Sequence, residues 1–463
     1  MGQNHGLQGG LKSRHLTMIS IGGVIGAGLF VGSGAVINST GPGALASYAL
    51  AGLIVVLVMR MLGEMASIRA GTSGSFAAYA REAIGPWAGY TIGWLYWFFW
   101  VIVIAIEAIA GAAIIHEWVP QVPAWIISLV LTLLLTLTNI YSVKSFGEFE
   151  YWFALIKVVT IIAFLIVGAA MIFGIVPGTE SPGTSNLLGR GGFMPNGIQS
   201  ILLGIVIVIF SFFGAEIAAI AAGESDNPER GVMTAINSVV WRILIFFIGS
   251  IAVLVMLLPW DSASALSSPF VTVFDMAGIP AAALVMKIVV LTSVLSCLNA
   301  ALYTNSRMLY ALAKQGDAPR GLFKLSKRGV PARAVWASTF FSYIAAIFHF
   351  VSPDKLFLFL VNASGAIALL VYMVITVSHI RLRQRDKASV LPIKMWLFPY
   401  LSYAVILVLC GILISMAFIE SMRSQFYLTM LLTVLIVISY ALTRNKRYST
   451  VNEKSEKPMD SVV

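Results

Sequence analysis

The chain has 463 residues, of which 59% are hydrophobic and only 11% are charged, and its formal net charge is +10. A soluble globular protein carries about 25% charged residues, so this composition excludes that class. Because a membrane-spanning helix needs about 20 apolar residues, the sequence predicts an all-α integral membrane protein with many spans. The polar start of the chain has no cleavable signal pattern, so the first hydrophobic segment is expected to remain as a span.

Apolar segments long enough to cross a bilayer recur along the chain and predict twelve transmembrane helices. They lie near residues 15–38, 43–67, 86–116, 123–142, 150–174, 198–223, 236–258, 279–312, 331–350, 356–379, 396–418 and 426–443. The third and eighth segments are long, and we expect them to tilt or to extend beyond the bilayer. Short loops and two tails, 1–14 and 444–463, complete the chain, and no soluble domain is predicted.

The distribution of Lys and Arg predicts the orientation, because cytoplasmic loops carry an excess of these residues. If the amino terminus lies inside, cytoplasmic segments hold 22 of the 30 Lys and Arg residues, outside loops hold three and spans hold five. Both termini are therefore predicted to be cytoplasmic. The positive charge follows from this topology and gives no reason to predict nucleic-acid binding.

Two predicted spans are irregular. The first contains IGGVIGAGLFVGSG, with six glycines, although each glycine inside a helix costs about 1 kcal/mol relative to alanine. The sixth contains FSFFGAEIAAIAAGE, in which a carboxylate interrupts the apolar run. Irregular segments at matching positions in two halves of a membrane protein indicate a transporter binding site, since freed backbone groups can line a cavity there. Close packing through small residues is the alternative for the first span.

Four segments in combination resemble the amino-acid permeases of the APC superfamily. These are IGGVIGAGLFVGSG, GTSGSFAAYAREAIGPWAGYTIGWLYW, FSFFGAEIAAIAAGESDNPERGV and NSRMLYALAKQGDAPRGLFKLSKRGVPARAV. The resemblance covers roughly residues 10–445 and is closest to the bacterial amino acid transporter subfamily, in particular to its γ-aminobutyrate (GABA) permeases. It implies a five-plus-five inverted repeat of the leucine-transporter type, over 15–174 and 198–379, two extra helices within 396–443, and broken helices 1 and 6.

The resemblance also implies a function. Family members import amino acids, commonly with a proton as the coupling ion, so we expect a proton symporter in the cytoplasmic membrane that works by alternating access. GABA is the expected substrate, with other ω-amino acids such as β-alanine as further candidates. A permease for another neutral amino acid such as proline, or an exchanger, is the alternative. Beyond membrane lipid, no cofactor, metal, nucleic acid or obligatory protein partner is implied.

The resemblance assigns substrate contacts to both irregular segments. Backbone N–H groups of the first segment are expected to bind the substrate carboxylate, and the second segment is expected to lie near the substrate amine. Side chains larger than methyl at the two central glycines of the first segment would block that approach. One phenylalanine of the second segment is expected to close the site, unless both belong to the core. The matching positions are Ile25, Gly26, Ala27, Gly28 and Leu29, and Ser211, Phe212, Phe213 and Gly214.

Ionisable residues inside predicted spans are expensive and are functional candidates by default. Lys157 matches a span 5 lysine of proton-coupled relatives and is predicted to carry the proton, unless it reaches the cytoplasmic surface by snorkelling. Glu107 is predicted either to meet the substrate ammonium or to be structural. Glu216 is predicted to hold the broken backbone, with proton handling as a second role. Arg60 and Glu64, spaced i, i+4, are predicted to pair as a gate or fold element.

The eighth predicted span is unusually polar. Ser293, Ser296 and Asn299 recur at helical spacing beside Cys297, and this face is predicted to line the transport pathway. Hydrogen bonding between helices is the alternative. The basic loop from Lys314 to Arg333 is explained mainly by topology, with a contribution to a cytoplasmic gate as a second role.

Two other classes of function are disfavoured. A membrane-embedded enzyme would need clustered His, Asp or Cys residues, whereas the five histidines are scattered near span ends. A nutrient sensor built on a transporter fold usually has an added cytoplasmic domain, whereas the two tails here, 1–14 and 444–463, are short. The sequence alone therefore favours a transporter.

Overall fold

A computed structural model gives the architecture of most of the chain. It describes residues 25–68, 76–141, 144–178, 181–216, 237–262, 266–279, 281–326, 329–351, 353–386 and 393–455. Throughout these segments the regular elements are helices. The predicted beginning of the first span, 15–24, the second half of the sixth, 217–223, and the tail segments 1–14 and 456–463 lie outside the described residues.

The helices, numbered in chain order, follow one another through short connections. They are α1 (Ala27–Phe30), α2 (Gly32–Thr40), α3 (Ala44–Ile68), α4 (Phe76–Ala83), α5 (Pro86–Trp118), α6 (Ala124–Tyr141), α7 (Lys144–Ile172), α8 (Ser185–Leu188), α9 (Gly197–Phe212), α10 (Asn237–Leu257), α11 (Pro269–Met276), α12 (Ala282–Lys314), α13 (Ala332–Val351), α14 (Pro353–Arg385), α15 (Tyr400–Phe418) and α16 (Glu420–Ser455). Within α10, the stretch Ile243–Gly249 is π-helical.

Nine stretches of the described chain are long and apolar enough to cross a membrane, if α1 to α3 are counted as one stretch, Ala27–Ile68. Two further apolar stretches are shorter, namely α9 and the part Ala332–Phe348 of α13. The structure therefore agrees with an all-helical protein of many spans. Twelve spans remain a prediction, because the continuations before residue 25 and after residue 216 are outside the described part.

Helix α5 lies at the centre of the bundle. It packs against α4, α6, α12, α13 and α14, and 83% of its most apolar stretch is buried. Its side chains are apolar on all faces, as expected for a helix surrounded by protein. Helix α16 is the opposite case, since only 6% of its apolar stretch is buried within the protein. Residues on α5 are therefore placed to contact several other helices at once.

Some bounds differ from the predicted ones. The short helix α4 was not predicted, because its polar residues interrupt the apolar length on which the spans were identified; its Phe76 and Tyr79 are nevertheless buried. Helix α7 begins at Lys144 rather than near residue 150. Helix α16 extends beyond the predicted span, 426–443, at both ends.

Candidate functional site

The start of α1 forms the first half of the candidate site. Gly26 precedes the helix with a non-helical backbone (φ −145°, ψ −144°). The Ala27 N–H donates to both carboxylate oxygens of Glu107, at 3.2 Å to Oε1 and 3.0 Å to Oε2. N–H groups at a helix start lack partners within the helix and carry partial positive charge, so a carboxylate is stabilised there. The predicted anion-binding position therefore holds a carboxylate of the protein itself.

Two glycines let other helices approach this helix start. A Cβ added at Gly26 would lie 2.6 Å from Cys297 Sγ and 2.7 Å from Glu107 Oε1. A Cβ at Gly28 would lie 2.7 Å from Ser211 Oγ, on α9. Real Cβ atoms do not approach so closely, so neither position has room for a methyl group. Close packing thus accounts for both glycines, whatever further role their backbone has.

The end of α9 forms the second half of the candidate site. The helix ends at Phe212, Phe213 is extended (φ −66°, ψ 144°), and Gly214 adopts φ 103°, a conformation that favours glycine. The Gly214 N–H donates to both carboxylate oxygens of Glu216, at 3.0 and 2.9 Å. The Tyr96 hydroxyl also donates to Glu216, at 3.1 Å. Glu216 is thus bonded to the irregular backbone itself, and its role as a support for that backbone stays a prediction.

Both halves of the site contact α5. Tyr96 and Glu107, which bind the second and the first half respectively, belong to this helix and are eleven positions apart. Eleven residues are about three helical turns, so the two side chains lie on the same side of α5.

The two phenylalanines that are predicted to close the site both pack in aromatic clusters. Phe212 lies against Phe247, with ring centroids 4.7 Å apart. Phe213 lies 4.0 Å from Phe99 and 5.2 Å from Tyr372 by the same measure. Both side chains are buried, so core packing accounts for each of them in this conformation. A role for either ring in closing the site stays a prediction.

Lys157 lies inside the protein, with 1% of its surface exposed. Its ammonium donates to Ser296 Oγ at 3.0 Å, and the Ser296 hydroxyl donates to Glu150 Oε2 at 2.9 Å. Lys157 is also close enough to Glu107 for their charges to interact. The snorkelling alternative is therefore wrong, because a snorkelling lysine would place its ammonium in water.

The polar residues of α12 separate into two groups. Ser296 joins the network of Lys157, and Asn299 Oδ1 accepts a hydrogen bond from Asn139 on α6 at 2.7 Å. Ser293 donates instead to the Val289 carbonyl of its own helix, at 2.7 Å, and Cys297 packs against Gly26. The predicted polar face is thus a set of specific contacts among α1, α6, α7 and α12.

The pattern of the amino acid permease family matches residues 15–453 of this chain. The chain belongs to the amino acid permease family, within the APC superfamily. It is 64% identical over 447 residues to the γ-aminobutyric acid permease of Bacillus subtilis (strain 168), covering 96% of this chain and 95% of that protein. The γ-aminobutyric acid permease of Escherichia coli (strain K12) is 50% identical, with 94% of each chain covered. An aromatic amino acid transport protein of Corynebacterium glutamicum is 43% identical, with 96% of each covered.

Family membership and the apolar helices together identify a multi-pass membrane transporter for amino acids. The described part of this permease holds no group of three or more His, Cys, Asp or Glu side chains that could bind a metal ion. A cavity of about 630 Å³ opens among α5, α13, α14 and α16. Its lining is apolar except for Lys355 and Thr429 and contains none of the predicted site residues, so the cavity is not assigned to the substrate.

Glu64 makes its direct contacts with other residues than the predicted Arg60, although the charges of Arg60 and Glu64 still interact. Glu64 Oε2 accepts from Arg383 at 2.8 Å and from the Met395 N–H at 2.6 Å. Its other oxygen lies 3.2 Å from His379 Nε2. Arg60 donates to the Lys394 carbonyl at 2.8 Å and stacks over the Trp396 ring. Residues far along the chain reach Glu64 with better geometry than its helical neighbour does.

Several site residues were not singled out from the sequence. Glu150 was placed at the edge of a predicted span, Tyr96 was one of many aromatic residues, and Arg242 was counted only as a cation within a span. Arg242 is buried, and its charge interacts with Glu216 and Tyr372. The signal in the sequence was the cost of placing Arg242 and Glu150 in apolar surroundings, which indicates a buried partner without naming it.

Proposed function

We propose that this permease imports GABA, together with short ω-amino acids such as β-alanine, by proton symport and alternating access. The observation that carries the proposal is the ranking of the relatives, in which two proteins named γ-aminobutyric acid permeases are more similar than the aromatic amino acid transporter. The first of them matches over nearly the whole of both chains.

The proposal includes a full topology. Twelve helices cross the cytoplasmic membrane with both termini inside, as an inverted repeat over 15–174 and 198–379 followed by two helices in 396–443. Helices 1 and 6 are broken at Gly26 and at Phe213–Gly214. Support comes from the non-helical backbone at both places and from the contact of α1 with α9. The Lys and Arg distribution supports the orientation.

The substrate binds between these two breaks. Its carboxylate takes the Ala27 N–H in place of Glu107, and its ammonium pairs with the Glu107 carboxylate that it has displaced. The carbonyl groups around Ser211 to Gly214 complete the ammonium site. Support comes from the carboxylate that the Ala27 N–H already holds, since a donor placed for one buried carboxylate suits another.

The coupling proton is carried by Lys157. Support comes from its burial, from its hydrogen bond to Ser296 and from its position near Glu107, at the first break. Binding of a proton to the Lys157 amine changes the charge beside Glu107, the residue that the substrate displaces. Proton binding and substrate binding are thereby linked. Glu216 keeps the second break in shape through its bonds to Gly214 and Tyr96.

The test is uptake of radiolabelled GABA into proteoliposomes with and without an inward proton gradient. Unlabelled GABA, β-alanine, proline and lysine are the competitors, and liposomes without protein are the control. The proposal predicts gradient-driven accumulation that GABA inhibits best. GABA uptake that is the same with and without the proton gradient would contradict symport and indicate exchange or facilitated diffusion.

A permease for another neutral amino acid is the second candidate, with proline as one example. The observation that favours it is the 43% identity to an aromatic amino acid transporter, since proteins this similar then transport amino acids with different side chains. Gradient-driven uptake that another amino acid inhibits better than GABA would establish this candidate. A sensor with a transporter fold is the more remote alternative, and it predicts binding of the amino acid without flux.

A further inference from the structure

Three buried side chains form a directed chain of hydrogen bonds between α7 and α12. The Lys157 ammonium donates to the Ser296 hydroxyl at 3.0 Å, and that hydroxyl donates to Glu150 Oε2 at 2.9 Å. Each donor points from Lys157 towards Glu150. A hydroxyl that accepts one proton while it donates another is the arrangement needed to pass a proton along.

Glu150 is unusual for a carboxylate at the edge of a predicted span, because none of its surface is exposed. Among the described residues its Oε1 has no hydrogen-bond partner within 3.5 Å, and the side chain of Asn299 interacts with the carboxylate from close by. A buried polar atom in this state calls for an explanation, and a role in chemistry is one of the recognised explanations. A carboxylate that binds a proton for part of a cycle supplies one.

The chain of bonds leads from the candidate site towards one membrane surface. Glu150 precedes Lys157 by seven residues, about 10 Å along α7 towards its start at Lys144. On α12, Asn299 lies one turn beyond Ser296 in the direction of Lys314, and it accepts a hydrogen bond from the half-buried Asn139. The Lys144 and Lys314 ends of these helices are on the side that the charge distribution predicts to be cytoplasmic.

The surroundings of Glu150 contain one dominant charge, that of Lys157 on the same helix. Glu107 on α5 interacts with Lys157, and Cys297 on α12 interacts with Lys157 and with Glu150 itself. Two other helices pack against α7. Of these, α10 carries Arg242, which interacts with Glu216, and α11 carries Asp275, which is exposed.

We propose that Glu150 is the acceptor that takes the coupling proton from Lys157 on its way to the cytoplasm, with the Ser296 hydroxyl as the relay. The Lys157 ammonium gives one proton to Ser296 Oγ while the original hydroxyl proton passes to Glu150 Oε2. Lys157 becomes a neutral amine and Glu150 a neutral acid, and rotation of the hydroxyl restores the chain. The acid then releases its proton to cytoplasmic water. This inference rests on the proposed proton symport.

The test distinguishes GABA accumulation that a proton gradient drives from exchange of GABA across the membrane. Wild type, Glu150→Gln and Ser296→Ala are reconstituted in proteoliposomes. Glu117→Gln serves as the carboxylate control, because Glu117 lies at the carboxyl-terminal end of α5 and pairs with Lys287, outside the proposed relay. One assay measures accumulation of labelled GABA driven by a proton gradient. The other measures counterflow, in which labelled GABA exchanges with unlabelled GABA inside the vesicles and no net proton movement is required.

The proposal predicts that Glu150→Gln and Ser296→Ala lose about tenfold or more of the driven accumulation, while counterflow remains close to wild type. Glu117→Gln should retain both activities. Unimpaired accumulation by Glu150→Gln would overturn the relay, and so would loss of counterflow in a protein that elutes as a folded species, since the role would then be structural. If Glu150→Gln does not fold, Ser296→Ala decides by the same two readouts. A wild type without driven accumulation would instead refute the proposed symport, and the relay with it.

Discussion

The two helix ends of the candidate site are each bonded to a carboxylate, but from different distances along the chain. At the start of α1, the Ala27 N–H bonds to Glu107, a residue 80 positions away on another helix. Beyond the end of α9, the Gly214 N–H bonds to Glu216, only two positions on. The chemistry is the same at both ends, whereas the connection is long-range at the first and local at the second.

The two kinds of connection predict different mobility at the two helix ends. A carboxylate two residues from its donor moves with the donor, so the bond of Glu216 survives most movements of the surrounding helices. The bond of Glu107 breaks whenever α1 and α5 separate, or whenever another carboxylate takes its place. We therefore expect exchange of ligands at the first end and a constant shape at the second.

The largest expected effect concerns the contact that joins the two ends. Gly28→Ala places a methyl group 2.7 Å from Ser211 Oγ and 2.9 Å from Ser211 Cα, so α1 and α9 must move apart. We expect GABA uptake to fall by at least about 100-fold, because small displacements of binding groups have effects of that size. Gly32→Ala is the control, since its methyl group meets its nearest neighbour at 3.6 Å. Equal uptake by both variants would show that the close approach is dispensable.

A second prediction compares the two carboxylates directly. Glu107→Gln removes the charge that is proposed to meet the substrate ammonium, so the KM for GABA should rise about 10- to 100-fold, the worth of one charged hydrogen bond. Glu216→Gln should lower the maximal rate with a smaller change in KM. Initial rates over a range of GABA concentrations measure both quantities. Similar KM changes in the two variants would contradict the idea that the start of α1 exchanges its carboxylate while the end of α9 keeps its own.

A third prediction concerns stability. Glu216→Ala leaves the buried Gly214 N–H without its acceptor, which should lower the free energy of unfolding by about 1–3 kcal/mol. Added GABA should raise the melting temperature of Glu216→Ala, because ligand binding stabilises the folded state. The same addition should have little effect on Glu107→Gln. Thermal unfolding of the purified variants, with and without GABA, measures this, and a GABA response in Glu107→Gln as large as in wild type would contradict the proposed exchange.

The last prediction concerns Glu64, a buried carboxylate that belongs to neither helix end, and its effects should be the smallest. Arg60 makes its direct contacts with Lys394 and Trp396, and its charge only interacts with Glu64 from a distance, so Arg60→Met should change the unfolding free energy by less than about 1 kcal/mol. Arg383→Met removes a direct partner of buried Glu64 and should be more destabilising. Neither substitution should alter the KM for GABA. A raised KM for GABA in Arg60→Met would contradict this expectation and would indicate that Glu64 and its neighbours belong to the substrate site.

Much of this molecule could be predicted from local sequence. Apolar length located the helices, and the glycine-rich and FSFFGAE segments located the two ends, because irregular backbone in a bilayer persists only where protein buries it or where it lines a cavity. The partners of the buried charges could not be predicted, since they depend on which helices meet. Glu107 bonds to a residue 80 positions away, and Glu64 prefers Arg383 to Arg60 for the same reason. Glu150 was missed because a carboxylate at the edge of an apolar run usually faces water.

The position of α5 has a kinematic consequence. One rigid helix carries both Tyr96 and Glu107, about 16 Å apart along its axis, and so works as a lever with two points of contact. A translation along the axis shifts both contacts by the same amount and in the same direction. A tilt about a pivot between them shifts the contacts in opposite directions, so that one tightens as the other loosens. Distances from α5 to the two helix ends, measured in a second conformation, would show which of these motions the transport cycle uses.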